Sequence, residues 1–520
     1  MMTRILLLSL ILATSAAALS AAQPIYDEPW RPQFHFSPPQ KWMNDPNGMV
    51  YLDGEYHLFY QYNPYATVWG PMHWGHAVTT DLVHWHNMPI ALFPDAHGTI
   101  FSGSAVDDAG NTSGFGSPGQ PPLVAIFTYD NHFDEYAGQP ESQRQGLAYS
   151  VDRGRSWAKY AGNPVLADPD NRDFRDPKVF WYAAGSEWVM TLAVHDHVAF
   201  YSSKNLRDWR HESDFGEGSG AHGGVWECPD LIEMPVAGSG ERKAVLLVSI
   251  NPGGPNGGSA TQYFVGSFDG HRFTPDPSAS GNSNSAQWID YGTDDYAGST
   301  WSGSKPDDQR MLYLGWMSNW QYANQVPTER WRSAMTLPRE LRLVATARGL
   351  ELKSMPVAEL TSLRTRQAKL AAQTFTDRVD VTAQAGVHSE LLELELSLRT
   401  SGAKRVELVF SNAQGQNTTF RVDKVSRRYE VDRSGSGMVD FNPVFSRLQS
   451  APLREPANDI AIHAYVDRSS IELFINGGET TFTVINFPAS PYTQISLKSD
   501  GKTAIVGGSL YELKSIWDKQ

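Results

Sequence analysis

The chain has 520 residues, and its 43 basic and 57 acidic side chains leave a formal net charge of −14, which excludes binding to nucleic acid or anionic membrane through a basic surplus. A hydrophobic share of 41 % and an aromatic share of 12 % support a large core and exclude disorder for most of the length. With 44 glycines and 32 prolines among short apolar runs, the composition predicts many strands and turns in two or three domains.

In chain order, the first element is a processing segment. Arg4 precedes an apolar run from Ile5 to Ala13 and a small-residue stretch from Ser15 to Ala22, the pattern of a secretory signal peptide over 1–22, with cleavage after Ser20 or Ala22. The run is shorter than the ~20 residues that span a bilayer, so the mature chain is expected free of the membrane, in a secreted or periplasmic location. Cys228 is the single cysteine, which excludes an intramolecular disulfide and thiolate metal chemistry. No metal and no cofactor are expected.

Residues 30–340 carry a repeat. Thr80-Asp81-Leu82-Val83-His84-Trp85 returns in variant form at Ser150-Val151-Asp152 to Trp157, Ser203-Lys204-Asn205 to Trp209, and Ser267-Phe268-Asp269 to Phe273. Each is a hydroxyl residue, an Asp or Asn that bonds its own backbone, a tight turn, and an aromatic that packs the returning strand. The spacing fits one four-stranded antiparallel sheet per repeat, which predicts propeller blades. Upstream of these turns, Asn44-Asp45-Pro46, Arg175-Asp176-Pro177 and Glu227-Cys228-Pro229 each precede an apolar strand, a turn and another strand. After the first, the Asp53-Gly54 pair supplies the positive φ of a type I′ hairpin. Asp45, Asp176 and Glu227 are therefore expected at equivalent places on the innermost strands of three blades, converging on one axial pocket. Phe101-Ser102-Gly103-Ser104 and Ser299-Thr300-Trp301-Ser302 fill the same role for two more, which makes five blades.

Residues 341–373 are expected to form a linker containing a helix-like turn, with Pro356 in its first turn and Leu360 and Leu363 on one face. From 374 to 520 the pattern has period two. Leu392, Leu394, Leu396 and Leu398 alternate with polar residues, and Ile471, Leu473 and Ile475 lead into the Asn476-Gly477 turn, which predicts a β-sandwich. The fold class is thus all-β, a five-bladed β-propeller followed by a C-terminal β-sandwich.

Three carboxylates around an aromatic-lined pocket, with an arginine beside one, suit cleavage of a glycosidic bond. One carboxyl must protonate the leaving oxygen while another attacks or activates water. Glu227, between Trp226 and Cys228-Pro229, has the apolar setting of an acid kept protonated; Asp45, beside Asn44 and Asn47, has amides that favour its ionised form. Asp176, next to Arg175, suits binding of substrate hydroxyls. Trp69 and Trp316 offer flat faces for a sugar ring, as do Trp42, Trp74 and Trp301, and Gln61, Ser102 and Asp294 offer hydrogen bonds to hydroxyls. The plain alternative for each tryptophan is packing between blades, and for each Asp-Pro pair a turn.

Trp42-Met43-Asn44-Asp45-Pro46-Asn47-Gly48, Phe101-Ser102-Gly103-Ser104, Phe174-Arg175-Asp176-Pro177 and Trp226-Glu227-Cys228-Pro229-Asp230 resemble, in order, the signature blocks of glycoside hydrolase family 32, the invertases, inulinases and levanases. The resemblance runs from about residue 30 to the end and includes 466–474. It implies a retaining mechanism in which Asp45 is the nucleophile, Glu227 the acid and then the base, and Asp176 with Arg175 the pair that binds fructose hydroxyls. Asn44, Gln61, Trp69, Phe101, Ser102, Asp294 and Trp316 are the further candidate substrate-binding residues. The stretches 251–266 and 315–323, and Asp at position 45, are most similar to exo-acting inulinases and levanases. The expected partner is an oligo- or polysaccharide with a terminal fructose; the readings kept beside it are an invertase-like sucrose hydrolase, a fructosyltransferase, an inverting enzyme, and a non-catalytic carbohydrate-binding propeller.

Overall fold

The computed structural model describes residues 25–517 apart from 134–141, 278–285, 306–307 and 455–457, so the expected signal peptide lies outside the described residues. Five antiparallel sheets follow one another from Lys41 to Pro356. Their inner strands are Lys41–Leu52, Thr99–Asp107, Phe174–Tyr182, Val225–Pro235 and Tyr296–Thr300. Each sheet grows outward by hairpins, and the first is completed by Trp331–Arg332, which pairs in parallel with the N-terminal end of Lys41–Leu52. That pairing fastens the last blade region to the first, so the ring closes without a free inner edge.

The repeated turn joins the third and fourth strands of blades one to four. Asp81 Oδ1 accepts from the amides of Val83 and His84, Asn205 Oδ1 from Arg207 and Asp208, and Asp269 Oδ1 from His271 and Arg272. The residue after each Asp or Asn takes a left-handed conformation: Leu82 at φ 65°, Arg153 at 63°, Leu206 at 63° and Gly270 at 102°. The Asx side chain satisfies the amides that such a turn leaves open.

The fifth blade differs from the sequence expectation. It begins at Tyr296, three residues before Ser299, and its outer strands are Arg339–Thr346 and Gly349–Pro356. The stretch 341–373 is consequently not a linker: its first part is propeller, and Arg364–Leu370 pairs with the last strand of the chain. Between them Ala358–Leu363 forms a 3-10 helix with Leu360 and Leu363 buried, while Pro356 ends the preceding strand instead of starting the helix. A polar, Arg-rich outer strand has the composition of a linker because its outer face is solvated.

The C-terminal domain is a sandwich whose two layers are joined by one 20-residue strand, Gln494–Leu513. Its first part pairs with Arg405–Ser411 and its second with Leu392–Gly402, so the hydrogen-bonded network is continuous across both layers. Leu392, Leu394, Leu396 and Leu398 point into the core between them, as the alternation predicts.

Candidate active site

Each inner strand carries the same irregularity near its start. Register slips by one residue between Met43 and Pro46, Ile100 and Gly103, Arg175 and Lys178, Glu227 and Asp230, and Tyr296 and Ser299. A bulge leaves two residues opposite one and re-aims their side chains. In blades three to five the first bulged residue takes a positive φ: Asp176 at 64°, Cys228 at 46° and Ala297 at 52°.

This register corrects the expectation that the three acids are equivalent. Asp45 and Ser102 are second in their bulges, Asp176 is first, and Glu227 precedes its bulge, matching Arg175 and Tyr296. The residue equivalent to Asp176 is Cys228. Its Sγ lies 3.7 Å from Asp45 Oδ2 and 3.6 Å from Asp176 Oδ2, and its amide donates to Asp176 Oδ2 at 3.1 Å. Glu227, one step earlier, turns aside to meet different partners.

Asp45 accepts from Ser102 Oγ at 2.8 Å and from Asn44 Nδ2 at 3.0 Å, and Asn44 is itself fixed by Trp42 Nε1 at 2.7 Å. Asn47 does not reach Asp45: with its amide oriented to suit its neighbours it donates to Ser102 Oγ at 3.2 Å and accepts from Gln61 Nε2 at 3.0 Å. Glu227 Oε1 accepts from Arg175 at 3.1 Å, and Glu227 Oε2 accepts from the Tyr296 hydroxyl. Arg175 also donates to Asp173 at 2.7 Å, whereas Asp176 is 3.9 Å from it. The guanidinium thus braces Glu227 more closely than its sequence neighbour Asp176.

Asp173, Asp176 and Glu227 crowd around one cation, Arg175, with Asp45 close to the charge of Glu227. Burial and the charge of Glu227 push Asp45 up to about 6, against the Ser102 and Asn44 bonds that favour the anion. Burial also raises Asp176; Arg175 opposes this, while the charges of Glu227 and Asp45 reinforce it. Burial and the surrounding carboxylates drive the Cys228 thiol and the Tyr296 hydroxyl well above their ordinary values, so both stay protonated. The pocket therefore holds carboxyls able to exchange a proton near neutrality, lined on one side by Trp69, Phe101 and Trp320 over a buried layer of Trp42 and Trp316.

Among the other candidates, Phe101 and Trp69 are half-buried and meet edge to face, with centroids 6.1 Å apart. Gln61 is buried and donates to Ile100 O at 3.0 Å, so it ties blade one to blade two below Asp45. Trp316 is fully buried behind Tyr296 and presents no face to the pocket. Trp74 and Trp301 likewise serve packing, their indoles donating to Phe101 O and His57 O. Asp294 is far from the chemistry: it is fully buried, paired with Arg433 of the sandwich at 2.6 Å and bonded by Tyr322 and the Ile485 amide. A carboxylate this deep needs a cation, and the sandwich supplies it.

Sequence reasoning missed Tyr296, Cys228 and Asp173. Tyr296 opens the fifth inner strand, but its bulge of Ala297 and Gly298 lacks the Pro that marks the three acid motifs, so nothing in its motif singled it out. Among the described residues one cluster has metal-ligand chemistry, Glu393, Glu395 and His463 on the sandwich, and Arg364 already bridges both its glutamates at 2.5 and 2.8 Å.

Comparison with known proteins agrees with the geometry. The model of the Glycosyl hydrolases family 32 N-terminal domain matches residues 35–356, and that of the Glycosyl hydrolases family 32 C terminal matches 359–512. The chain is 45 % identical to a levanase of Bacillus subtilis (strain 168) over 517 residues, covering 98 % of this chain and 74 % of that one. It is 38 % identical to an extracellular exo-inulinase of Aspergillus awamori, covering 95 % and 96 %. The crystal structure of exo-inulinase from Aspergillus awamori superposes with a TM-score of 0.86 at 37 % identity, over 95 % of this chain and 100 % of that one.

Proposed function

The chain belongs to glycosyl hydrolase family 32, and from that premise we propose that it releases terminal β-fructose, one unit at a time, from fructans of the levan and inulin types and from sucrose. What carries this reading is the convergence of Asp45, Asp176, Glu227 and Arg175, from three separate blades, on one pocket at the axis.

In the proposed reaction the Asp45 carboxylate attacks the anomeric carbon of the terminal fructose while Glu227 gives its proton to the glycosidic oxygen. The bond to the leaving sugar breaks, and a fructosyl ester on Asp45 forms through an oxocarbenium-like transition state. Glu227, now a carboxylate, takes a proton from water, whose oxygen attacks the same carbon and frees Asp45. Asp176 accepts from the fructose hydroxyls, its own position fixed by the Cys228 amide. Arg175 and Tyr296 hold Glu227 in place through both steps. Asn44, Ser102, Trp69 and Phe101 shape the fructose pocket. Secretion is part of the same reading, supported by the extracellular relative and the apolar N-terminal run.

The test is a chromatographic product profile with sucrose, inulin and levan offered separately. Fructose as the sole early product released from the polymers is expected; a ladder of oligosaccharides would mean endo cleavage, and products longer than the substrate would mean transfer. Asp45→Ala is expected to lose roughly 10⁴-fold or more with every substrate. Glu227→Gln is expected to lose about 10²- to 10⁴-fold on fructans, and much less on a fructoside with an activated leaving group, which needs no acid. Equal losses on both would remove Glu227 as the acid.

A further inference from the structure

The catalytic groups use only the first halves of the inner strands. The second halves of the same five strands, with the turns that follow them, enclose a separate cavity of about 1220 Å³. Between the two lies a tie across blades three, four and five. Lys178 Nζ pairs with Asp230 at 3.1 Å and donates to Ser299 Oγ at 3.0 Å, while Asp230 Oδ2 accepts from the amide and hydroxyl of Thr300 at 2.7 Å each. At ~3.3 Å per residue, Tyr182 at the cavity mouth is roughly 20 Å along its strand from Asp176. The cavity is thus a second chamber and not an extension of the catalytic pocket.

Its lining is specific. Trp181, 43 % exposed, is the one exposed tryptophan among the described residues. Trp188 braces it edge-on, with centroids 5.1 Å apart, so its ring is oriented before any ligand arrives. Phe180 and Tyr182, on the opposite face of the same strand, also line the cavity and pack on Phe268, with centroids 6.2 and 5.9 Å apart. Blades one and two bring Asp53 and Asp107 to the same space, and burial and the neighbouring carboxylates of Asp53 and Asp108 raise the Asp107 carboxyl. At the floor, Asp230 is 1 % exposed and its Oδ1 has no hydrogen-bond partner. Four carboxylates, Asp53, Asp107, Asp230 and Glu233, face two lining cations, Lys178 and Arg242, and a third, Arg153, which pairs with Asp53 at 3.1 Å. That surplus repels phosphates and other anions. A pre-oriented aromatic face beside acceptors with spare capacity fits the alternating apolar faces and hydroxyl edges of a neutral sugar. The volume exceeds the ~300–1,000 Å³ of pockets that house a drug-sized ligand, so it suits an oligosaccharide better than a single hexose.

We propose that this cavity is a second, non-catalytic carbohydrate site that takes a neutral fructo-oligosaccharide segment, stacked on Trp181 with hydroxyls donating to Asp107 and Asp53. The choice of fructan rests on the function proposed above; the site itself rests on the cavity. Its effect is to hold a polymer near the enzyme between cleavages, which raises the local concentration of chain ends.

The experiment is a calorimetric titration of the full-length Asp45→Ala protein with nystose, repeated after adding Trp181→Ala or, as a milder change, Asp107→Asn. Two sites per chain are expected, falling to one with Trp181→Ala. In the otherwise native enzyme, Trp181→Ala is expected to leave kcat/KM for sucrose within twofold while raising KM for levan or inulin about fivefold. A stoichiometry that neither variant changes, or equal losses on sucrose and polymer, would overturn the proposal. If the native enzyme frees no fructose from any substrate, the functional reading fails instead, and the Trp181-dependent stoichiometry still decides whether the cavity binds the sugar.

Discussion

In the proposed mechanism Asp45 acts as an anion, yet burial and Glu227 lift its carboxyl to about 6. Asp45 attacks only when deprotonated, so kcat/KM is present above this value and falls as pH drops through it. Ser102 Oγ opposes the lift by donating to Oδ2 at 2.8 Å. Ser102→Ala removes that donor, so the acidic limb of the kcat/KM profile is expected to move to higher pH by about one unit. A limb that stayed in place would show that Ser102 does not tune Asp45. The residues that meet in the pocket were largely readable because each sits in a motif with its own turn chemistry. Tyr296 was not, because nothing local distinguishes a tyrosine that reaches a glutamate 69 residues away from one that packs. Asp294 was misread for the converse reason: its polarity suggested a sugar contact, while its partner Arg433 lies 139 residues on.

At the scale of the element, the blade turns and the bulges have different origins. The turns are local: Asp152 accepts from Ser150 Oγ, Ser156 Oγ and the Ser156 amide, all within four residues, while Arg153 beside it holds φ at 63°. Asp152→Ala is expected to cost about 1 kcal/mol of stability, because its acceptors are exposed and water replaces part of what is lost, and to leave kcat unchanged. Denaturant titration with a matched activity assay checks both; a fall in kcat would mean that this turn communicates with the axis. The five bulges are not local in the same way. Pairing with the second strand of each blade decides which residue is skipped, and this is why alignment on the shared Pro of three motifs matches Glu227 with Arg175 but sets Asp45 level with Asp176, one position from its place in the register.

For the whole molecule, the junction between propeller and sandwich is built from buried charge. Arg339 meets Asp290, Asp295 and Glu472, Arg433 meets Asp294, and His35 lies between Asp467 at 2.8 Å and Glu472 at 3.0 Å. Removing one partner strands the other, so Arg433→Met is expected to destabilise by about 3–5 kcal/mol while the folded fraction keeps its kcat. Two separate unfolding transitions in the native protein would contradict this coupling. For His35, burial opposes the charged form, but the two carboxylates prevail and raise it from 6.5 to about 9. The raised value means a stabilising contribution that is complete below about 6.5 and lost as pH rises through about 9. Melting temperatures measured from pH 6 to 10 should fall across that window, and His35→Gln should flatten the fall.

The sequence by itself determined what depends on near neighbours: period-two strands, Asx turns, hairpin turns, the all-β class, the blade repeat and the acids carried in motifs. Tertiary structure decided what depends on pairing between distant segments. It set the bulge register that separates Glu227 from Cys228, placed Arg175 against Glu227, assigned Asp294 to the domain junction, and folded part of an apparent linker into the fifth blade. The physical reason is range: turn and alternation preferences act over a few residues, whereas a buried carboxylate takes its meaning from whichever cation or hydroxyl the folded chain brings within about 3 Å of it.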